Sequence, residues 1–276
     1  MKRIGIIGCG NMGAAIAERI KSKYQVMVFD KDRNKTQNLS AISVEDTLLD
    51  LVKKSDVIIL AVKPQDFDEL LKEIKDYAKE KLVISIAAGI PTAYIEKYLG
   101  KAKVVRVMPN IGAKIGEAES SLCKGKNAKE KDLDFARELF DYLGKTWIVE
   151  EEMINAATAI SGSGPAYIYY DMEMNRIDPL NVPKEIEEEY VKRLRRAAEK
   201  VGFDSQIAFE LAVNTSATSL HLTAALAKSP AELINLIASK GGTTEEALKV
   251  LAKGGSWEEA ALAAKKRAEE LAKKEI

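Results

Sequence analysis

The sequence predicts an α/β fold, a doubly wound parallel sheet followed by an all-helical C-terminal domain. Three observations predict it. Short apolar runs alternate with amphipathic helical patterns through the first 150 residues. A glycine-rich turn, Gly8-Cys9-Gly10-Asn11-Met12-Gly13, joins the first run to the first helix. Beyond residue 150 the spacing is helical and no convincing strand pattern occurs.

The elements follow in order. Residues 3–7 (RIGII) form an apolar run short enough for a buried strand, 11–22 read as a helix, and 25–29 (QVMVF) as a second strand. Further strands are expected at 56–62, 82–87, 103–107 and 146–149, with charged amphipathic helices such as 64–79 and 129–142 between them. In the second half, helical patterns cover 151–160, 165–175, 184–202, 205–227, 230–238, 243–253 and 256–274. Ser256-Trp257-Glu258-Glu259 has capping-box spacing for the last of these. The expected domains are therefore 1–151, a dinucleotide-binding domain, and 152–276, all-helical.

Composition narrows the function classes. Lysine plus arginine and aspartate plus glutamate both number 42 in 276 residues, so net charge supports neither nucleic-acid nor membrane-surface binding. Cys9 and Cys123 are too few and too separated for a disulfide framework or zinc cluster, and His221 is the one histidine. No apolar stretch has the length of a signal peptide or a membrane span, which makes the cytoplasm the expected location.

The first glycine turn follows an expected strand and opens an expected helix, the context of a Rossmann dinucleotide site. Gly8 permits the tight turn, Gly10 lets the backbone approach a pyrophosphate, and Gly13 allows close helix–strand packing. Free N–H groups at the helix start, around Asn11 and Met12, face the phosphates. The second strand ends at Asp30, an acidic residue suited to adenosine ribose hydroxyls and hence to NAD, but Lys31 and Arg33 follow and suit the 2′-phosphate of NADP. Both cofactors stay open.

A second turn, Ser239-Lys240-Gly241-Gly242-Thr243-Thr244, precedes a helix, with Thr243-Thr244-Glu245-Glu246 at capping-box spacing. Amides at such a helix start bind anions, so a carboxylate is the expected ligand. A third cluster of small residues runs from Ser161 to Tyr167, with Pro165 suited to a first helical turn. Carbonyl reduction usually wants a positioned acid. His221 lies inside an expected helix, which favours a core or surface role. An imine nitrogen can arrive protonated, so an imine substrate fits this inventory better than a ketone.

Several stretches together resemble the pyrroline-5-carboxylate reductases, the last enzymes of proline synthesis. They are Ile6 to Gly13, Ala61-Val62-Lys63-Pro64-Gln65, Val107-Met108-Pro109-Asn110, Ser161 to Tyr167 and Gly241-Gly242-Thr243-Thr244, in the family's order. The resemblance implies NAD(P)H-dependent reduction of 1-pyrroline-5-carboxylate to proline by hydride transfer to the imine carbon. It implies that Gly8 to Gly13 hold the cofactor pyrophosphate, that Ala61, Val62, Lys63 and Pro64 line its ribose and nicotinamide side, and that Ala87 and its neighbours Ala88 and Gly89 lie at the nicotinamide end. Met108, Pro109 and Asn110 would shape the floor near the reacting carbon. Ser239, Gly242, Thr243 and Thr244 would hold the substrate carboxylate, with Thr244 also bonding the ring nitrogen. It implies a homodimer or higher homo-oligomer built through the helical domains. Departures are Lys240, where the family usually has proline, and the stretch 170–202, read as longer than the family pattern with 184–202 as an added packing helix. The other readings are reduction of a different small imino or hydroxy acid, and a non-catalytic dinucleotide-binding protein.

Overall fold

The computed structural model describes residues 1–37 and 39–274; residues 275 and 276, with which the expected helical domain closes, lie outside the described residues. The chain forms two compact units, one of Met1–Met108 and Ser121–Glu151, the other of Pro109–Ser120 and Glu152–Lys274.

The first unit is built on a sheet of order β3-β2-β1-β4-β5-β6-β7-β8. Its strands are β1 (Arg3–Ile7), β2 (Gln25–Phe29), β3 (Ser43–Val44), β4 (Val57–Leu60), β5 (Leu82–Ser85), β6 (Lys103–Met108), β7 (Ala118–Lys124) and β8 (Gly144–Ile148). Strands β1 to β6 pair in parallel, and β7 runs antiparallel to β6, with Met108 opposite Ser121. The helices are α1 (Asn11–Ile20), α2 (Leu48–Lys54), α3 (Phe67–Ala78), α4 (Thr92–Leu99) and α5 (Glu130–Asp141). The apolar runs are continuous rather than alternating because both sheet faces are covered: all four residues of β4 and of β5 are buried. Phe67, Leu71 and Ile74 of α3 and Ile95 and Leu99 of α4 pack in one cluster with Ile58, Leu60, Val83 and Val104 of the sheet. Each such side chain contributes about 1.5–3 kcal/mol on burial.

The second unit is helical: α6 (Glu151–Ala157), a π-helical turn (Thr158–Gly162), α7 (Gly164–Asn175), α8 (Lys184–Val201), α9 (Ser205–Leu226), α10 (Pro230–Ile237), α11 (Thr243–Leu251) and α12 (Trp257–Lys274). Ser256 and Glu259 form the expected capping box before α12. Helix α7 ends on Arg176 in the left-handed conformation, φ 54°. The charged α8 is integral to this unit. Its Tyr190 ring stacks on Trp257 at 5.8 Å, its Arg193 guanidinium lies 4.0 Å over the same ring, and Arg193 pairs with Asp171 of α7 at 2.7 Å.

The expected single division after residue 151 is crossed by residues 109–120. Side-chain hydrogen bonds explain this. Asn110 Nδ2 donates to the Ser161 carbonyl at 3.0 Å, and Thr218 Oγ1 donates to the Glu117 carbonyl at 3.1 Å. No helix among the described residues is long and apolar enough to cross a membrane.

Candidate functional site

In the first unit, the chain direction around the sheet reverses at β1, which lies between β2 and β4. The carboxyl ends of such neighbouring strands are where open α/β sheets bind ligands. The glycine turn sits there. Gly8 has φ +100°, and a Cβ on it would lie 2.6 Å from the Ala61 carbonyl oxygen; a Cβ on Gly13 would lie 1.9 Å from the Gly8 carbonyl oxygen. These two glycines are required by protein packing. Gly10 differs, since a Cβ there would meet nothing within 4 Å. It is also the N-cap of α1, and no side chain caps that helix. Open space in front of an uncapped helix start, with Asn11 exposed and Met12 half-buried behind it, fits a dinucleotide pyrophosphate.

The neighbouring strand ends supply the other expected positions. Ala61 follows β4 and donates its N–H to the Ile7 carbonyl at 2.8 Å. Val62 is half-buried, Lys63 is exposed, and Pro64 opens a short 3-10 turn. After β5, Ala87 is buried and Gly89 turns the chain with φ +76°.

Asp30, expected at the adenosine ribose, is hydrogen-bonded within the turn. It is buried, Oδ2 accepts the Cys9 N–H at 2.7 Å and Oδ1 accepts the Asp32 N–H at 2.8 Å. Lys35 Nζ lies 3.6 Å from Oδ1. The cations after β2 are exposed and ion-paired, Lys31 with Asp66 at 2.8 Å and Arg33 with Asp46 at 3.0 Å. Burial, followed by the Asp30 charge, pushes the Cys9 thiol up to about 12, so it stays protonated near neutral pH.

In the second unit, the expected capping box at Thr243 does not form. Gly242 is the N-cap of α11 and no side chain caps it. The hydroxyls of Thr243 and Thr244 turn instead to Ser163, whose Oγ lies 3.2 Å and 3.0 Å from them. Glu245 accepts the Gly241 N–H at 2.9 Å, and Arg267 Nε donates to the Gly241 carbonyl at 2.8 Å. Gly241 has φ +69°, and a Cβ on Gly242 would stand 2.3 Å from Ser239 Oγ. Ser239, Gly242, Thr243 and Thr244 are therefore gathered at one helix start, with Lys240 exposed beside them.

Two residues fall outside the sequence expectation. Asn110, expected to shape the floor near the reacting carbon, belongs to the second unit, where Oδ1 accepts from the Gly112 and Glu119 amides at 3.1 and 3.0 Å. A buried asparagine satisfied by backbone groups in this way frames the loop. Ser163, not singled out from its small-residue cluster, is fully buried against the threonine pair. His221 is exposed and bonds Glu117 at 2.8 Å. Among the described residues there is no group of three or more metal-ligating side chains. A groove of about 800 Å³ lies at the opposite strand ends of the first unit, among Arg3, Asp56, Lys81 and Lys103, where mixed charges and no glycine turn occur.

Two family models match the chain, one in each unit. A family described as NADP oxidoreductase, coenzyme F420-dependent, matches residues 3–89, and pyrroline-5-carboxylate reductase dimerisation matches residues 189–271. The second match begins inside α8, so that helix is largely part of the family pattern and not an addition to it. A pyrroline-5-carboxylate reductase of Methanosarcina acetivorans is 34% identical over 289 residues, covering 99% of both chains. Among solved structures, the pyrroline carboxylate reductase of Plasmodium falciparum with NADP bound superimposes with TM-score 0.64 at 25% identity, covering 98% of each chain. The pyrroline-5-carboxylate reductase of Coxiella burnetii does so with TM-score 0.65 at 28% identity and the same coverage. With the glycine cradle and the Gly-Gly-Thr-Thr helix start both in place, the chain belongs to the pyrroline-5-carboxylate reductase family.

Proposed function

We propose that the protein reduces 1-pyrroline-5-carboxylate to proline with NAD(P)H. The observation that carries this reading is the start of α11, an uncapped helix N-terminus bearing the buried hydroxyl of Thr244. Helix-start amides suit a carboxylate, and one hydroxyl beside them suits the nitrogen of a five-membered cyclic imine. The full-length likeness to pyrroline-5-carboxylate reductases supports the same substrate.

Gly8, Gly10 and Gly13 with the first amides of α1 hold the pyrophosphate, and Ala61 to Pro64 and Ala87 line the rest of the cofactor. Bound dihydronicotinamide supplies the hydride. Ser239, Gly242 and Thr243 fix the carboxylate, and Thr244 holds the ring nitrogen. Protonated imine carbon is already electrophilic, so positioning carries most of the catalysis. Asp30 is engaged by two backbone amides, which leaves Lys31 and Arg33 as the groups best placed in sequence for a 2′-phosphate. NADPH is therefore the favoured form, with NADH accepted more weakly.

The exposed apolar side chains of Phe209, Met174 and Leu180, and the dimerisation match, support a homo-oligomer built through the helical unit. The location proposed with this role is the cytoplasm. The test is steady-state oxidation of NADPH and NADH with 1-pyrroline-5-carboxylate, with proline identified as product. Comparable rates with unrelated imino or hydroxy acids contradict the substrate assignment.

A further inference from the structure

Ser163 is the N-cap of α7, the position where a serine ordinarily accepts a hydrogen bond from its own helix. Here it makes no such bond. The residues before it form a π-helical turn, and the Ser163 N–H donates to the Thr158 carbonyl five residues back at 2.9 Å. One extra residue in that turn rotates Ser163 away from the direction a continuous α-helix would give it, a displacement π-turns often serve at functional sites. Its hydroxyl is buried between Thr243 and Thr244, 80 and 81 residues away in sequence, at 3.2 and 3.0 Å.

A serine hydroxyl has one proton and two lone pairs, so it can bond both threonine hydroxyls at once. The contact at 3.0 Å restrains the Thr244 hydroxyl at the start of α11, whichever atom of the pair donates.

We infer that Ser163 is a positioning residue that holds the Thr244 hydroxyl toward the N–H of a protonated cyclic imine. This rests on the reduction proposed above. When the imine carbon gains a hydride, the C=N π pair returns to nitrogen as a lone pair and the N–H stays in place, so Thr244 needs only to accept before and after the step. The neutral amine then takes a proton from water. Thr244 is the residue in contact with substrate, and Ser163 acts through it.

A double-mutant cycle tests this, read both as kcat/KM with 1-pyrroline-5-carboxylate and NADPH and as proline affinity by calorimetry. Ser163→Ala is expected to lower kcat/KM about tenfold, the value of one neutral hydrogen bond. Thr244→Ala lowers it further, and adding Ser163→Ala to Thr244→Ala changes it less than about twofold. Thr244→Ser keeps the bond to Ser163 and retains activity within about threefold. Proline affinity follows the same order, and NADPH affinity does not change. Additive losses in the cycle, or a loss of NADPH affinity equal to that of proline, overturn the role of Ser163 while leaving the reduction standing. No turnover by the folded wild type overturns the reduction and this role together. A Ser163→Ala protein that does not fold moves the test to Ser163→Cys, whose thiol is a weak hydrogen-bond partner. That variant is expected to lose activity non-additively with Thr244→Ala, and additivity contradicts the proposal.

Discussion

The carboxylate of Asp30, at the end of β2, takes the backbone N–H of Cys9 at 2.7 Å and so fastens the second strand to the glycine turn that follows the first. Its other oxygen takes the Asp32 N–H at 2.8 Å. The residue that looks in sequence like a ribose ligand spends its charge on the frame of the cofactor loop. Asp30→Ala should therefore weaken NADPH and NADH alike and lower stability by about 1–3 kcal/mol, the cost of buried amides left unsatisfied. Selective loss of NADH alone, measured by fluorescence titration, contradicts this.

Arg33 is expected to act differently. It is exposed and paired with exposed Asp46, a pair that contributes little to folding. Arg33→Ser should leave the melting temperature unchanged and weaken NADPH about 10–100-fold with little effect on NADH, as expected for a charge-assisted bond to phosphate. Equal losses for both cofactors mean that the 2′-phosphate is held elsewhere.

The glycines of the turn separate packing from binding. Gly10→Ala places a methyl in open space, so the fold should persist while cofactor affinity falls at least about tenfold. Gly13→Ala drives a Cβ to 1.9 Å from the Gly8 carbonyl oxygen, so it should destabilise the unit and abolish binding. Thermal melts and cofactor titrations on the two variants distinguish these outcomes.

A buried ionic contact supports the sheet. Arg106 on β6 is 2% exposed, its Nη1 lies 3.5 Å from Glu151 Oε1, and Glu151 also accepts the Thr92 N–H at 2.8 Å and hydroxyl at 2.7 Å. Burial lowers the Arg106 pKa while Glu151 opposes the shift. Glu151→Ala removes all three contacts and should cost about 1–3 kcal/mol in urea denaturation, below the full value of a buried pair because Glu151 is partly exposed. A loss below about 1 kcal/mol places the pair among the surface type.

Stability should also fall on acidification through a defined group. Hydrogen bonds from the Arg3 side chain, then from its backbone, lower Asp56 from 3.8 to about 2. The folded pKa lies below the unfolded one, so the stabilisation is fully present above about pH 4 and is lost as pH falls through about 2. Both side chains are more than a third exposed, which limits the effect to roughly 0.5 kcal/mol. Asp56→Asn should flatten that part of the stability profile, and an unchanged slope between pH 4 and pH 2 contradicts the assignment.

Much of this was legible in the sequence because it is local. Gly8, Gly10 and Gly13 announce themselves by spacing, and the apolar runs at β1, β4 and β5 by continuous burial. Strand β7, Ala-Glu-Ser-Ser-Leu-Cys-Lys, has few of the β-branched residues that mark strands and is specified by its pairing with β6. Helices α2 and α4 are short, seven and eight residues, and carry little periodic signal. Asn110 and Ser163 were missed as tertiary residues because their partners lie across the chain. Asn110 reaches Ser161, 51 positions on, and Ser163 reaches Thr244, 81 positions on. No spacing rule links such pairs, and only the fold brings them together. Helix α8 was expected to be an added packing helix; it does pack, through Tyr190 and Arg193 on Trp257, but the family match that begins at residue 189 makes most of it part of the shared pattern.

The most direct measurement of the central claim follows a labelled hydride. Incubating the protein with 1-pyrroline-5-carboxylate and NADPH carrying deuterium at the transferable position should give proline deuterated at C5, the former imine carbon. Consumption of labelled cofactor without deuterium at that carbon, or no consumption by the folded protein with either NADPH or NADH, contradicts it.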